Sequence, residues 1–191
     1  MKKLLFILKN AWLHRKIIKQ KLNQHKHQLI TITDLKPITL KKHNIKYLAI
    51  DFDGVLGAHG QEFLCNKVYQ WLITLSREFN SKNIFILSNK VSLTRIDFFK
   101  KHFPSIYYIT GIRKKPYPDG LLKIQQLVNC KPAMLALIDD RILTGYLASI
   151  LAGAFPILII SPYKDYRLHP FKEFFFILLR TTERIVYRYF L

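Results

Sequence analysis

The sequence predicts an α/β domain built on a central parallel sheet, and three observations predict it. From Tyr47 onward, short apolar runs alternate with segments of helical period, the pattern of βαβ units. The run Tyr47-Leu48-Ala49-Ile50 passes directly into Asp51-Phe52-Asp53-Gly54-Val55-Leu56. Two carboxylates therefore leave the carboxyl end of a strand, where open α/β sheets place their ligands. A chain of 191 residues, 50% of them hydrophobic, also has enough material for one domain with a real core and modest extensions.

In chain order, residues 1–22 read as an amphipathic helix. Leu4, Leu5, Leu8, Ala11, Trp12, Ile18 and Leu22 fall near one face, with Lys2, Lys9, Lys16 and Lys19 largely on the other. Residues 23–28 read as a polar linker. His25 and His27 flank Lys26 there, poor spacing for a helical metal site, and are expected to be solvated. Residues 31–46 contain Pro37 and predict a short connecting helix. Strands are expected at 47–50, 84–87, 106–109, 134–138 and 155–160, with helices near 62–79, 91–102, 118–129 and 142–152. A loop after Pro162 leads to Pro170 and an aromatic, basic tail. The chain thus divides into a basic N-terminal helix and linker (1–46), a core (47–162) and a helical tail (163–191).

Composition bounds the function. The net charge is +19, yet the high apolar content argues against disorder. Residues 1–50 carry twelve Lys or Arg and one acid, Asp34. Such an arm points to an anionic membrane surface or nucleic acid, with a merely solvated face as the plain alternative. No zinc-finger or RNA-recognition motif is present, and the arm's apolar side is Leu- and Ile-rich, so nucleic acid ranks second. Cys65 and Cys130 have no metal-ligand spacing and are too few for a disulfide framework, which fits a reducing compartment. Met1-Lys2-Lys3 and the apolar run after it resemble the start of a signal peptide, but Lys9 and Asn10 interrupt the run and no small-residue cleavage site follows. No stretch reaches the roughly 18 uninterrupted apolar residues of a membrane span. The expected location is cytoplasmic, peripheral on the inner membrane face.

Chemistry gathers at the ends of the expected strands. Asp51 and Asp53 would repel each other if buried together, so each needs a cation or a proton. A divalent metal meets that need and leaves a carboxylate oxygen free to attack phosphorus. A strand ending in an Asx turn is the plain alternative. The second strand ends in Leu87-Ser88-Asn89-Lys90, where Ser88 is either a helix cap or a donor to a phosphoryl oxygen. After the third comes Arg113-Lys114-Lys115-Pro116, a solvated basic loop or a lysine that balances the nucleophile and phosphoryl group. The fourth ends in Asp139-Asp140, adjacent acids that the same metal would serve.

Taken in order, Asp-x-Asp, Ser, Lys-Pro and Asp-Asp resemble the four motifs of the haloacid dehalogenase (HAD) superfamily of phosphatases. The resemblance implies a Rossmannoid three-layer sandwich around a parallel sheet, with helical N- and C-terminal extensions. It also implies roles: Asp51 as nucleophile, Asp53 as general acid/base, and Ser88, Asn89 and Lys115 as the phosphate-binding set. Mg2+ would be held by the Asp51 carboxylate, the Asp53 backbone carbonyl and Asp140, with Asp139 as a possible second acid. Ile32-Thr33-Asp34-Leu35-Lys36-Pro37 and the terminal Arg180-Thr181-Thr182-Glu183-Arg184 are similar to elements of the YqeG-type branch, which includes phosphatidylglycerophosphate phosphatases. Two features depart from that branch. Gly54-Val55 stands where Asn-Thr is usual, and the fourth motif has Asp139-Asp140 and Thr144-Gly145 instead of Gly-Asp and Thr-Asp.

Only a short segment separates the first motif from the next helix, which leaves no room for a cap domain and fits a bulky or surface-held substrate. The substrate expected is a membrane-held phospholipid such as phosphatidylglycerophosphate. The alternatives are a soluble phosphatase of a sugar acid or another small phosphomonoester, and an idle HAD domain serving as a binding module. The tail carries Phe171, Phe174, Phe175, Phe176 and Ile177 through Leu179, then Arg180, Arg184 and Arg188 at four-residue spacing beside Ile185, Val186 and Tyr189. It reads as a helix that lies in a bilayer interface or, equally, packs on the core.

Overall fold

The computed structural model describes residues 2–110, 112–166 and 170–190, with the side chains of Lys172, Tyr189 and Phe190 excepted. The two chain ends and the Tyr189 side chain assigned to the arginine face lie outside the described residues. Six parallel strands form one sheet in the order β1-β6-β5-β2-β3-β4. They are β1 (Gln28–Leu29), β2 (Tyr47–Ile50), β3 (Ile84–Ile86), β4 (Tyr107–Tyr108), β5 (Leu135–Asp139) and β6 (Phe155–Ile159). Every residue of β3 and β5 is buried. Burial on both faces is why these strands are unbroken apolar runs instead of alternating patterns. The side-chain period of two still divides the core: Leu48 and Ile50 enter one cluster with Leu72 and Phe99, and Ala49 enters another with Leu121 and Ala148.

Helices cover both faces. They are α1 (Lys2–Leu13), α2 (Arg15–Leu22), α3 (Pro37–Lys42), α4 (Asn66–Phe79), α5 (Leu93–His102), α6 (Asp119–Leu127), α7 (Leu147–Leu151) and α8 (Pro170–Ile185). In α4 the buried residues are Val68, Leu72, Leu75 and Phe79, the spacing that turns one helical stripe toward a sheet. From β2 the chain builds outward through β3 and β4, then crosses back to β5 and β6 on the other side. The switch point lies between β2 and β5, so the acids at their carboxyl ends meet at one crevice. No domain is inserted between Gly57 and Asn66, where the chain runs as a short loop.

Several expectations change. The segment 1–22 is two helices, divided at His14, whose ring bonds the Asn10 carbonyl. The segment read as a solvated linker instead forms a 3-10 turn, His25–His27, followed by β1 at the sheet edge. His27 is buried there: Nδ1 lies 2.7 Å from the Pro156 carbonyl and the ring stacks on Phe155. The third expected strand shrinks to Tyr107–Tyr108, and the last expected helix begins as a π-helical turn, Ile142–Tyr146. In the tail, Arg180 and Arg184 of the arginine face point inward, whereas Arg188 is exposed. Arg180 is buried and Arg184 donates to the Ile159 and Ile160 carbonyls, whereas Phe171, Phe174, Phe175 and Leu178 are exposed. Carbonyls and carboxylates at the ends of β5 and β6 give those guanidiniums partners that a bilayer interior lacks.

Candidate active site

The crevice encloses a cavity of about 310 Å³ lined by Asp51, Asp53, Asn89, Lys90, Asp140, Arg141 and Thr144, with His59, Gly60 and Phe176. Asp51 caps β2; its Oδ1 accepts a hydrogen bond from the Phe52 N–H at 2.8 Å. Its Oδ2 lies 3.0 Å from Lys115 Nζ, and the same ammonium sits 2.5 Å from Asp139 Oδ2. Asn89 fixes that lysine by its backbone. Oδ1 accepts from Lys115 N at 2.7 Å, and Nδ2 donates to Lys115 O at 3.3 Å. Ser88 is buried at the end of β3, where its Oγ accepts from Lys90 N. Residues singled out at four separate strand ends thus converge within one crevice. Asn89 acts there through Lys115, since both ends of its amide are engaged.

Burial and charge set the protonation states. Burial pushes the Asp51 carboxyl well above its usual range, against the pull of Lys115. Asp140 is pushed up to about 7, first by burial and then by Asp139, with Arg180 opposing. Burial works against the Lys115 ammonium, but Asp139 and Asp51 outweigh it and raise its pKa, so the lysine stays charged. A site that raises two carboxylate pKa values is short of positive charge. Asp51, Asp139 and Asp140 each offer a carboxylate oxygen, these atoms lie within 4.8 Å of one another, and all three residues are buried. Asp140 Oδ2 is ion-paired with the Arg180 guanidinium, whose Nε lies 2.9 Å away. An all-oxygen set of this kind suits a hard divalent cation. The Asp53 carboxylate is not in the cluster.

Asp53 is held from the other side. Arg95, fully buried, donates from Nη2 to Oδ1 at 2.8 Å and from Nη1 to Oδ2 at 3.1 Å, while its guanidinium lies over the Phe52 ring. Gly60 N donates to Oδ1 as well. Burial opposes the Asp53 charge, yet the Arg95 hydrogen bonds outweigh it and leave the pKa lowered. Two glycines admit the acids. Gly54 has φ +84°, and a Cβ there would collide with the Asp140 carboxylate. A Cβ at Gly145 would fall on the Asp139 carboxylate.

The tail also enters the site, which the sequence reading missed. Arg180 Nε lies 2.9 Å from Asp140 Oδ2. Glu183 binds Arg141, and its Oε2 accepts from the N–H groups of Ile142 and Leu143 at 2.8 and 3.2 Å, capping the π-helical turn behind the fourth motif. Glu173, fully buried, accepts from His59 N at 3.1 Å, and Phe176 stacks on the His59 ring at 3.7 Å. Burial, then Arg180, lowers the His59 pKa to about 4, so the ring is neutral at pH 7. The signal available was the terminal Arg-x-x-Glu-Arg element. Its spacing places Arg180 and Glu183 on one face, but spacing does not say which side that face meets.

Comparison with known proteins gives the family. The sequence profile of the mitochondrial PGP phosphatases matches residues 10–164, well over half the chain. The chain belongs to the mitochondrial PGP phosphatase family. It is accordingly a phosphatase of the HAD superfamily, with the parallel-sheet fold described above. Among solved structures, an uncharacterised protein from Corynebacterium glutamicum ATCC 13032 Kitasato is similar at 17% identity, over 73% of this chain and 96% of its own, with a TM-score of 0.45. A HAD family hydrolase from Deinococcus radiodurans R1, with bound phosphate and sodium, is similar at 17% identity over 64% and 85%, with a TM-score of 0.39. Among curated proteins none matches significantly.

Proposed function

We propose that this phosphatase hydrolyses a phosphomonoester through an aspartyl-phosphate on Asp51, with Mg2+ as cofactor and a membrane-held phospholipid such as phosphatidylglycerophosphate as substrate. The observation that carries the chemistry is Lys115 Nζ bridging Asp51 and Asp139 at the floor of the crevice. A carboxylate held beside a buried cation, at a cavity mouth, is placed to meet a dianionic phosphoryl group. An Asp51 oxygen bonds to phosphorus as the ester P–O bond breaks, and Lys115 and Ser88 balance charge on the phosphoryl oxygens. Asp53 takes up a proton from solvent as the dianionic substrate binds beside it, and gives that proton to the departing alcohol. It then takes one from the water whose oxygen attacks phosphorus, which frees Asp51 and inorganic phosphate. Arg95 keeps Asp53 ionised at rest, as the second step needs; a dianionic substrate beside it raises its proton affinity for the first. Mg2+, held by Asp51, Asp140 and the Asp53 carbonyl with Asp139 close by, would supply Lewis-acid stabilisation of the transferring group.

The lipid substrate is supported by the family, by the uncapped crevice and by the two extensions. α1 exposes Leu4, Leu5, Leu8, Trp12 and Leu13, and α8 exposes Phe171, Phe174, Phe175 and Leu178. Among the described residues, no helix is long and apolar enough to cross a membrane; docking is therefore proposed as interfacial, with cations beside an exposed apolar face.

The test is a phosphatase assay with lipid and sugar phosphates, with and without metal. Chelated protein is expected to be inactive until Mg2+ is restored. Asp51→Asn is expected to lose about a thousandfold or more in kcat, and vesicle-borne phosphatidylglycerophosphate to be turned over faster than sugar-acid phosphates. Full activity in Asp51→Asn overturns the mechanism. A sugar-acid phosphate hydrolysed far faster by vesicle-bound protein overturns the substrate.

A further inference from the structure

A second concavity lies beside the active-site crevice. Its volume is about 450 Å³, and its walls come from α1, α8 and the turn behind the fourth motif: Leu4, Leu8 and Trp12 face Leu143, Leu179 and Val186. Its lining is mostly apolar, with Arg141, Thr182 and Glu183 as polar members, and three of the apolar residues, Leu4, Leu8 and Trp12, are 55–60% exposed. A monomer rarely leaves such a surface open without a use for it. Arg141 lines both this groove and the catalytic cavity. Its Nε is held by Glu183 Oε1 at 3.0 Å, so the guanidinium is fixed at the divide between the two. Lys114 and Arg141 are near enough to Lys3 for their charges to be felt: burial first, then those two cations, lower the Lys3 pKa.

The order of features is therefore a phosphomonoester site, then the Arg141 guanidinium, then an apolar slot. An amphiphile with a terminal phosphate, a second anionic or polar group and an alkyl chain is complementary to all three in that order. We propose that the α1–α8 groove seats one acyl chain of the substrate while its phosphomonoester lies at Asp51. This rests on the lipid reading above and adds a site to it: the chain is recognised by the protein, not merely left in the membrane. The continuity through Arg141 is what selects a substrate chain over a separate ligand. An unrelated occupant has no need to share a wall with the catalytic cavity.

The experiment uses the full chain and 1-acyl-glycerol 3-phosphates from butanoyl to dodecanoyl, each below its aggregation concentration. A fully buried methylene is worth on the order of fourfold in affinity; with partial exposure, kcat/KM is expected to rise at least tenfold across the series. In the Leu8→Gln, Trp12→Gln double variant the rise is expected to fall below threefold. Both residues are more than half exposed, so the fold does not depend on them. A brominated dodecanoyl analogue gives a readout without turnover. The chain has two tryptophans. Trp12 lines the groove, whereas Trp71 packs in the core near Leu35, to whose carbonyl it donates. Quenching by the bromine is expected in the wild type and is expected to vanish in Trp12→Phe. A flat chain-length series, an undiminished rise in the double variant, or quenching seen only with vesicles overturns the groove. Rapid turnover of vesicle-borne lipid with a flat series rejects the groove and keeps the lipid function. Failure to hydrolyse any glycerol phosphate rejects that function, and the quenching result still decides the groove.

Discussion

Asp139 carries a carboxylate in a volume that only a side-chain-free residue 145 leaves open. Its oxygens bind Lys115 and accept from Arg141 N and the Thr144 hydroxyl, while the ideal Cβ of residue 145 falls on the same atoms. The missing acid at Gly145 and the added acid at Asp139 are therefore one exchange, since both positions reach the same point. Gly145→Asp alone is expected to destabilise the fold by about 1–3 kcal/mol through overpacking and to cut activity at least tenfold. Asp139→Gly alone removes one of the two carboxylates that balance a buried lysine and is expected to be as damaging. The double variant Asp139→Gly, Gly145→Asp is expected to recover most of the stability and activity lost by either, as a double-mutant cycle would show. Strict additivity would mean the two positions do not share that volume. The sequence shows both residues but not that they meet; adjacency across a six-residue turn depends on the backbone path.

At the scale of elements, the strands that carry the site were legible because a fully buried parallel strand leaves an unbroken apolar run, as at β2 and β5. β1 was not, since two residues carry no period, and its anchor His27 looks like any polar linker residue. Burial, helped by Lys21, Lys26 and His43, lowers the His27 pKa to about 4 against the hydrogen bond to Pro156. A depressed pKa means that the unfolded chain takes up this proton first. The contribution is full above the unfolded value near 6.5 and is lost as pH falls from there toward 4. In urea titrations the wild type is expected to lose about 1–3 kcal/mol over that window from this residue. His27→Phe, which keeps the stack on Phe155, is expected to show a shallower loss. Identical pH slopes for the two proteins would count against a neutral, buried His27.

α8 was legible as a helix but not as part of the site, because its hydrophobic period also fits a helix lying on a bilayer. Its buried charges decide the matter. Arg180 compensates Asp140, so Arg180→Met strands a buried carboxylate and is expected to cost roughly 3–5 kcal/mol. Adding Asp140→Asn removes the charge that needed compensation. The double variant is expected to be more stable than Arg180→Met alone, although catalytically dead. If thermal unfolding shows no coupling between the two changes, the ion pair does not hold α8 in place.

For the molecule as a whole, the charge is lopsided: +19 in total, with twelve Lys or Arg and one acid in residues 1–50, and with Asp51, Asp139 and Asp140 buried together in the crevice. The exposed Leu4, Leu8 and Trp12 of α1 line one groove with Leu179 of α8. Lys2 and Lys9 on α1 and Lys16 on α2 are exposed. Near an anionic bilayer each contributes on the order of 1 kcal/mol, and that attraction falls off within a Debye length of about 8–10 Å at physiological salt. Docking is therefore expected to need anionic lipid and to weaken as salt rises. Reversing all three charges, to Glu, changes the local charge by six and is expected to weaken vesicle binding by far more than tenfold at low salt. Circular dichroism checks that α1 and the core remain folded. Co-sedimentation with anionic and neutral vesicles, at low and high salt, reads the result. Equal sedimentation of the wild type and the charge-reversed protein, or binding that ignores lipid charge and salt, would show that the basic arm faces something other than a membrane.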